Sequence, residues 1–304
     1  MFTSKTGLVI PTRNRPKELY STLQFFLKKK IKFLKIVIID SSDEKLKKEI
    51  IDICRKFNVF LYFSKPSTSK QRNIGLHKLI KSKSEFIMFL DDDLKFHNNS
   101  FSVMNSNIAK YKKKYVGFSF NNTNFIKKTL LEKIKLSSFI KNIGLYNSNK
   151  GEILDNGWQT KIYNLKKNLE SQWISTACAI YRKEFLINKY FDESFGTYSY
   201  LEDLDFSLQI NPQRKNIFLV VAGAEFFHLK EIIRTSFTFG YYEFTNRYKV
   251  VNKFNLKKNS FFFMIFCKLV LTFFSILLNY KNIFKLSGNI TAIIFCIIFR
   301  KIKK

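Results

Sequence analysis

The chain has 304 residues, 46% of them hydrophobic and 25% charged, with 53 Lys and Arg against 23 Asp and Glu for a formal net charge of +30. That apolar share argues against disorder, and the length suits one large α/β domain or two closely fused ones. The four cysteines, Cys54, Cys178, Cys267 and Cys296, form no CxxC pair, so neither a zinc cage nor a disulfide framework is expected.

The positive surface should attract anions, whether nucleic acid, anionic lipid or nucleotide phosphate. It is unevenly spread: nothing acidic follows Glu243, while the last 61 residues hold 12 Lys or Arg among apolar runs. That mixture points more to a membrane than to a duplex, although a general bias toward Lys, Asn, Ile and Phe contributes. The N-terminus enters an apolar strand at Gly7 without the long apolar stretch of a signal peptide, and a reducing, cytoplasmic setting is expected.

Apolar runs at 7–11, 35–40, 58–63 and 85–90 predict four strands. Their spacing of some 23 to 28 residues is what a strand, a crossover helix and a parallel strand require. Pro16 can open the first helix, with Leu19, Leu23, Phe26 and Leu27 on one face; Leu46, Ile50, Cys54 and Phe57 repeat the pattern in the second. The prediction is an open, mostly parallel sheet with helices packed on it.

In such sheets ligands sit beyond the carboxyl ends of the strands. The residues there are Thr12 and Arg13, then Asp40, then Lys65, then Asp91, Asp92 and Asp93. No glycine-rich dinucleotide fingerprint follows the first strand, and no P-loop occurs. Three adjacent aspartates repel one another unless a cation offsets them, which suggests a divalent metal; a solvated acidic turn is the alternative.

Residues 121–157, rich in Asn and Lys, read as an insert or loop. The pattern then resumes with an apolar run from Gln172 to Tyr181, a short helix near Lys183 to Tyr190, an acidic helix start at Glu202, Asp203 and Asp205, and a strand from Ile217 in the apolar run that reaches Phe227. Acidic residues suit a helix N-terminus for dipole reasons alone, yet one could also serve as a base. His228 ends an apolar run, where a core role competes with metal ligation.

Taken together, these segments resemble the family 2 glycosyltransferases of the GT-A fold, especially bacterial rhamnosyltransferase-like members. Leu8-Val-Ile-Pro-Thr-Arg-Asn-Arg-Pro-Lys looks like the family's first strand and loop, and Ile36-Val-Ile-Ile-Asp-Ser-Ser-Asp like its second. Lys70-Gln-Arg-Asn-Ile-Gly matches the Arg-Asn-x-Gly element, and Phe86-Ile-Met-Phe-Leu-Asp-Asp-Asp the strand leading to the DXD motif. Trp173-Ile-Ser-Thr-Ala-Cys-Ala-Ile-Tyr-Arg-Lys-Glu-Phe is similar to the strand bordering the acceptor site, and Leu201-Glu-Asp-Leu-Asp-Phe to the acceptor-side ED motif. Two departures stand out: Ser41-Ser42 replaces an Asn-Gly type turn, and Thr176-Ala177 stands where glycine is common.

The resemblance covers about residues 7–252 and implies a GT-A architecture, a Rossmann-like, mostly parallel mixed sheet with helices on both faces. Residues 1–100 would form the nucleotide-sugar half and 101–252 the acceptor half, with membrane-associating helices at 253–304. It further implies an inverting sugar transfer from a nucleotide-diphosphate sugar to a hydroxyl of a glycan or lipid-linked glycan, in cell-surface polysaccharide synthesis. Thr12, Arg13, Asp40, Arg72, Asp91 and Asp92 would bind the donor. Asp93, His228 and Asp91 would hold Mg or Mn, Trp173 and Thr176 would border the acceptor, and Asp203 would be the base with Glu202 supporting it.

Residues 261–278 are apolar except for Lys268, Thr272 and Ser275, which with Asn279 form a narrow polar stripe; a second apolar run, 290–299, is too short to span a bilayer. Basic residues flank every junction, which disfavours moving any loop across. Helices lying in the interface at the cytoplasmic face are therefore expected, with a single transmembrane helix over 261–278 as the alternative. Two rival functions remain: a nucleotidyltransferase, which usually needs a glycine-rich phosphate loop absent from residues 11–16, and a basic nucleic-acid-binding protein, which should gather its Lys beside stacking aromatics. Here the Lys residues are dispersed, so no nucleic-acid partner is expected.

Overall fold

The structure, a computed structural model, describes residues 1–124, 146, 149–229 and 234–302. The chain packs as two compact units, Met1–Phe125 with Ile162–Lys230, and Ile126–Lys161 with Glu231–Lys304.

In the first unit, strands β1 (Thr6–Thr12), β2 (Lys35–Asp40), β3 (Phe60–Phe63) and β4 (Phe86–Leu90) fall on the four predicted runs. They are joined by helices α1 (Pro16–Lys28), α2 (Glu44–Lys56) and α3 (Thr68–Ile80). There follow β5 (Leu94–Phe96), α4 (Ser100–Tyr111), β6 (Gly117–Asn122), β7 (Leu169–Ser171), β8 (Cys178–Arg182), α5 (Glu202–Ile210) and β9 (Phe218–His228). Among the described residues the strands form one sheet in the order β3-β2-β1-β4-β8-β6-β9-β5, with β7 also pairing β9. From β3 to β4 every pair is parallel; β8 then runs antiparallel to both β4 and β6, and β6 returns to a parallel pairing with β9. This is the mixed GT-A-like sheet that was expected.

The alternation of side chains along each strand builds two cores. Leu8, Ile10, Ile38 and Met88 face α1, α2 and α4 through Leu23, Ile50 and Met104, while Val9, Val37, Ile39 and Phe89 face α3 and α5 through Leu76, Leu79 and Phe206. Helices on both faces explain why the central strands read as unbroken apolar runs rather than alternating ones. α3 lies especially close: a Cβ on Gly75 would stand 2.3 Å from a methyl carbon of Val9, so glycine lets this helix settle on β1.

Some local expectations change. Leu27, placed on the buried face of α1, is 69% exposed, because the helix buries only the arc through Leu19, Leu23 and Phe26. The run from Gln172 shortens to a strand starting at Cys178, the part that pairs β4 and β6. The helix near Lys183 is a single 3₁₀ turn, Lys183–Leu186. Most of the expected insert at 121–157 lies outside the described residues.

The second unit contains helices α6 (Phe237–Lys253), α7 (Lys258–Ser275) and α8 (Asn282–Ile302). α6 and α8 touch backbone to backbone, since a Cβ on Gly240 would meet the Lys285 carbonyl oxygen at 2.1 Å. Glu243, 4% exposed, lies between Lys268 Nζ at 3.4 Å and Lys285 Nζ at 3.0 Å. The expected polar stripe is thus turned inward at Lys268 and at the buried Thr272; α7 ends at Ser275, so Asn279 stands beyond the helix and is exposed. Arg247, 1% exposed, stacks 4.0 Å over the Trp158 ring and donates to Gln159 Oε1 at 2.9 Å. Large apolar side chains remain exposed on α7 and α8, among them Phe266, Phe273, Phe274, Ile294 and Ile298. By length and composition α7 could cross a membrane.

Candidate active site

Parallel strands end together, so β1 and β2 deliver Thr12 and Asp40 side by side as register partners. Asp40 is fully buried, with one oxygen accepting from Ser42 N at 3.0 Å and Ser42 Oγ at 2.5 Å. Its second oxygen, Oδ2, has no hydrogen-bond partner among the described residues. A buried carboxylate oxygen of that kind is costly unless something donates to it, which suits a donor group on a ligand. In the Ser41-Ser42 pair that replaces the expected Asn-Gly type turn, Ser42 therefore orients this carboxylate, while Ser41 N donates to the Thr12 carbonyl at 3.0 Å. Gln71 pins the start of α3 to the same edge, donating to the carbonyls of Thr12 at 2.9 Å and Ile39 at 2.8 Å.

One turn of α3 thereby brings Arg72, 2% exposed, over the end of β4. Its guanidinium donates to Asp91 Oδ1 at 2.8 Å and, through the other nitrogen, to Glu202 Oε1. Thr176 Oγ1 donates to the same Glu202 oxygen at 3.2 Å, and Asp91 N donates to Ala177 O at 2.8 Å. A single planar fork thus joins the acidic end of β4 to the start of α5, groups separated by more than a hundred residues. Asp203 follows Glu202 in the first turn of α5, with Oδ1 accepting from Leu204 N at 2.8 Å. The residue before them, Leu201, is held at φ 76°, ψ 12°, a left-handed conformation unfavourable for a leucine. Strain of this kind persists where the surroundings over-determine it, often at functional sites.

Asp92 and Asp93 turn the other way. Thr12 Oγ1 donates to Asp92 Oδ2 at 2.6 Å, and Arg15 Nη1 bridges Asp92 Oδ1 at 2.9 Å and Asp93 Oδ2 at 2.8 Å. His228 Nδ1 lies 3.4 Å from Asp93 Oδ1. It is carried there by the antiparallel β5–β9 register, in which Leu94 pairs with His228 and Leu229 N donates to Asp93 O at 3.2 Å.

The titrations follow from this packing. Burial pushes the Asp92 carboxyl up to about 7 against the pull of Thr12 and Arg15, and pushes Glu202 to about 7 with Arg72 opposing and Asp203 adding. Burial also raises Asp91, which Arg72 only partly offsets. Asp93 is held low: burial works against it, but the His228 and Arg15 contacts win. His228 is raised, since Asp93 and Asp91 outweigh its burial.

Thr12, Asp40, Arg72, Asp91, Asp92, Asp93, Thr176, Glu202 and His228 are thus all placed at this edge by direct bonds or strand register. Two expectations fare differently. Arg13 is exposed and makes no hydrogen bond or ion pair among the described residues, whereas Arg15, which sequence reasoning passed over, holds two aspartates. The only signal for it was its place just before Pro16, where the chain turns into α1. Trp173 is buried, and its indole Nε1 has no partner among the described residues.

The groups here that could take part in holding a divalent cation are Asp93 and His228. No group of three His, Cys, Asp or Glu side chains is gathered as a cage among the described residues. Asp93 and His228 nevertheless converge, with Nδ1 and Oδ1 3.4 Å apart. One or two protein ligands, completed by phosphate oxygens and water, are the usual protein share for a Mg-type ion.

Residues 8–188 match the profile described as "Glycosyl transferase family 2". None of the curated proteins matches the chain. Among solved structures it is similar to S. aureus TarS 1-349 in complex with UDP-GlcNAc, with 15% identity, TM-score 0.51, and coverage of 84% of this chain and 68% of that one. A longer S. aureus TarS chain aligns at 16% identity and TM-score 0.51, over 84% of this chain but 41% of its own length. GalNAc-T7 with UDP, GalNAc and Mn2+ aligns at 14% identity and TM-score 0.56, over 86% of this chain and 56% of that one. These likenesses concern the fold.

Proposed function

The chain belongs to glycosyl transferase family 2, and from that we propose that it moves a hexosyl or deoxyhexosyl unit from a nucleotide-diphosphate sugar to a hydroxyl of a glycan or lipid-linked glycan, inverting the anomeric centre. The observation that carries this reading is the Arg72 fork, which holds Asp91 and Glu202 at one sheet edge. Residues 1–100 bind the donor: Asp40 accepts from the base or ribose through its unpartnered oxygen, with Thr12, Arg72, Asp91 and Asp92 shaping the site and Arg13 at its rim. TarS with UDP-GlcNAc and GalNAc-T7 with UDP support a nucleotide-sugar as the donor class.

The acceptor half supplies Thr176, Glu202 and Asp203, with the buried Trp173 bordering the acceptor. The Asp203 carboxylate takes the acceptor's hydroxyl proton as that oxygen attacks the anomeric carbon, and the bond from that carbon to the diphosphate oxygen breaks on the opposite face. Glu202, tied to Arg72 and Thr176, keeps the first turn of α5 in place beneath Asp203. Asp93, His228 and Asp91 would hold Mg or Mn, and that ion would offset charge on the departing diphosphate.

The exposed Phe and Ile side chains of α7 and α8, with the Lys and Arg around them, favour docking on an anionic membrane at its cytoplasmic face, the helices lying in the interface. A panel of UDP-, GDP- and dTDP-sugars, tested for thermal stabilisation with Mn and then for hydrolysis without acceptor, checks the donor reading. Protection by a nucleoside triphosphate with release of pyrophosphate would favour nucleotidyl transfer instead.

A further inference from the structure

The Asp93 carboxylate has both of its oxygens facing cationic groups. Oδ1 meets His228 Nδ1 at 3.4 Å and Oδ2 meets Arg15 Nη1 at 2.8 Å, while the same Arg15 nitrogen reaches Asp92 Oδ1 at 2.9 Å. The two neighbours are not alike. A neutral imidazole can ligate a metal, whereas guanidinium has no lone pair to offer and keeps its proton throughout the working pH range. A cation drawn to Asp93 therefore competes with Arg15 for the charge of one carboxylate, and a bidentate seat on both oxygens requires Arg15 to leave.

Arg15 is built to leave. Its side chain is 41% exposed, while those of Asp92 and Asp93 are 4% and 12% exposed, so a solvent-side arm caps two inward-facing acids. Its backbone is anchored at the entry to α1, ahead of Pro16, so the guanidinium can swing without moving the sheet. A diphosphate arriving at the ends of β1 and β4 offers that guanidinium a planar, paired set of oxygens, the geometry it binds best.

We propose that Arg15 is an exchangeable internal counter-ion: in the donor-free protein it neutralises Asp92 and Asp93 and keeps a divalent cation off Asp93, and on donor binding it transfers to the diphosphate and frees that carboxylate. Donor and cation then bind cooperatively, and the coupling is reciprocal, each tightening the other by the same factor. This rests on the donor-site reading above.

The test uses the full chain in detergent and reads free Mn2+ by electron paramagnetic resonance, with UDP as the nucleotide probe. In the wild type Mn2+ alone binds weakly and UDP tightens it. Arg15→Gln binds Mn2+ alone about 3- to 5-fold more tightly than the wild type, the upper end of what one partly exposed competing charge contact contributes, and UDP then tightens it by correspondingly less. Arg15→Lys, which keeps a cation at the same place, stays within about twofold of the wild type without UDP. Asp93→Asn abolishes Mn2+ binding in every background. If Asp93→Asn removes the ion but Arg15→Gln binds Mn2+ alone no better than the wild type, the counter-ion role is overturned and the donor site stands. If Asp93→Asn leaves Mn2+ binding intact, the assignment of Asp93 to the cation fails and takes this inference with it, whereas loss of UDP binding by the wild type itself would overturn the donor-site reading.

Discussion

Arg72 offers the sharpest test of how the site is held together. Replacing it by Met keeps most of the volume but leaves Asp91 and Glu202 facing each other without their shared cation. Removing one partner of a buried ion pair costs roughly 3–5 kcal/mol. Asp91 is 28% exposed and therefore partly screened, and either acid can take up a proton, which brings the expected loss to about 2–3 kcal/mol at pH 8.5.

The pH dependence has a definite sign. Burial has already raised the Glu202 carboxyl from 4.5 to about 7, so between those values the folded chain binds more protons than the unfolded one. Its contribution to stability is complete below the unfolded value and lost as pH rises through the folded one. Without Arg72 the folded value climbs further, and the loss continues above pH 7. The deficit of Arg72→Met relative to the wild type should thus be small at pH 5.5 and largest at pH 8.5. Urea unfolding followed by Trp173 fluorescence, in a Trp158→Phe background so that the first unit alone is observed, measures both. A deficit below about 1 kcal/mol at pH 8.5, or an equal one at both pH values, would refute the view that this fork neutralises the two acids.

Asp203→Asn should leave nucleotide-sugar affinity unchanged and lower turnover by roughly 10²–10⁴-fold, the share of a general base; near-normal transfer rates would retire the assignment. Asp40→Asn, which exchanges a buried acceptor oxygen for a donor, should weaken UDP binding by about tenfold or more in calorimetry, and unaltered affinity would move the base site elsewhere. Glu243→Gln leaves Lys268 and Lys285 facing each other inside the second unit and should destabilise that unit by roughly 3–5 kcal/mol, read by circular dichroism in detergent. Phe273→Asp with Phe274→Asp, at positions 59% and 53% exposed, should leave folding intact but cut co-sedimentation with anionic vesicles by at least about tenfold, given the apolar area withdrawn from lipid. Undiminished co-sedimentation would place the membrane contact on another face.

The sequence by itself determined what depends on neighbours along the chain. The runs that became β1, β2 and β4 announced their positions because strands buried on both faces must be apolar throughout, β3 read as an apolar run although it is a half-exposed edge strand, and the spacing left room for only one helix between neighbours. Parallel strands then place their carboxyl ends together, so Thr12, Asp40 and Asp91 to Asp93 could be assigned to one edge before any coordinate existed. The acidic opening of α5 at Glu202 was equally legible, since a helix start has local chemistry.

What remained depended on pairings that no local pattern encodes. Leu27 shares the apolar period of α1 yet faces solvent, because the width of the buried arc is set by the partner surface and not by the helix. His228 reaches Asp93 only through the β5–β9 register, in which a slip of one residue would send its ring to the opposite face. Arg13 and Arg15 are the same residue type two positions apart; the turn of the chain into Pro16 aims only Arg15 at Asp92 and Asp93. Tertiary structure also decided that Arg72 is shared between Asp91 and Glu202, and that Lys268 turns inward to Glu243. For the charged groups the reason is common: a charged side chain is placed by the opposite charge that offsets its desolvation, and that partner is distant in sequence.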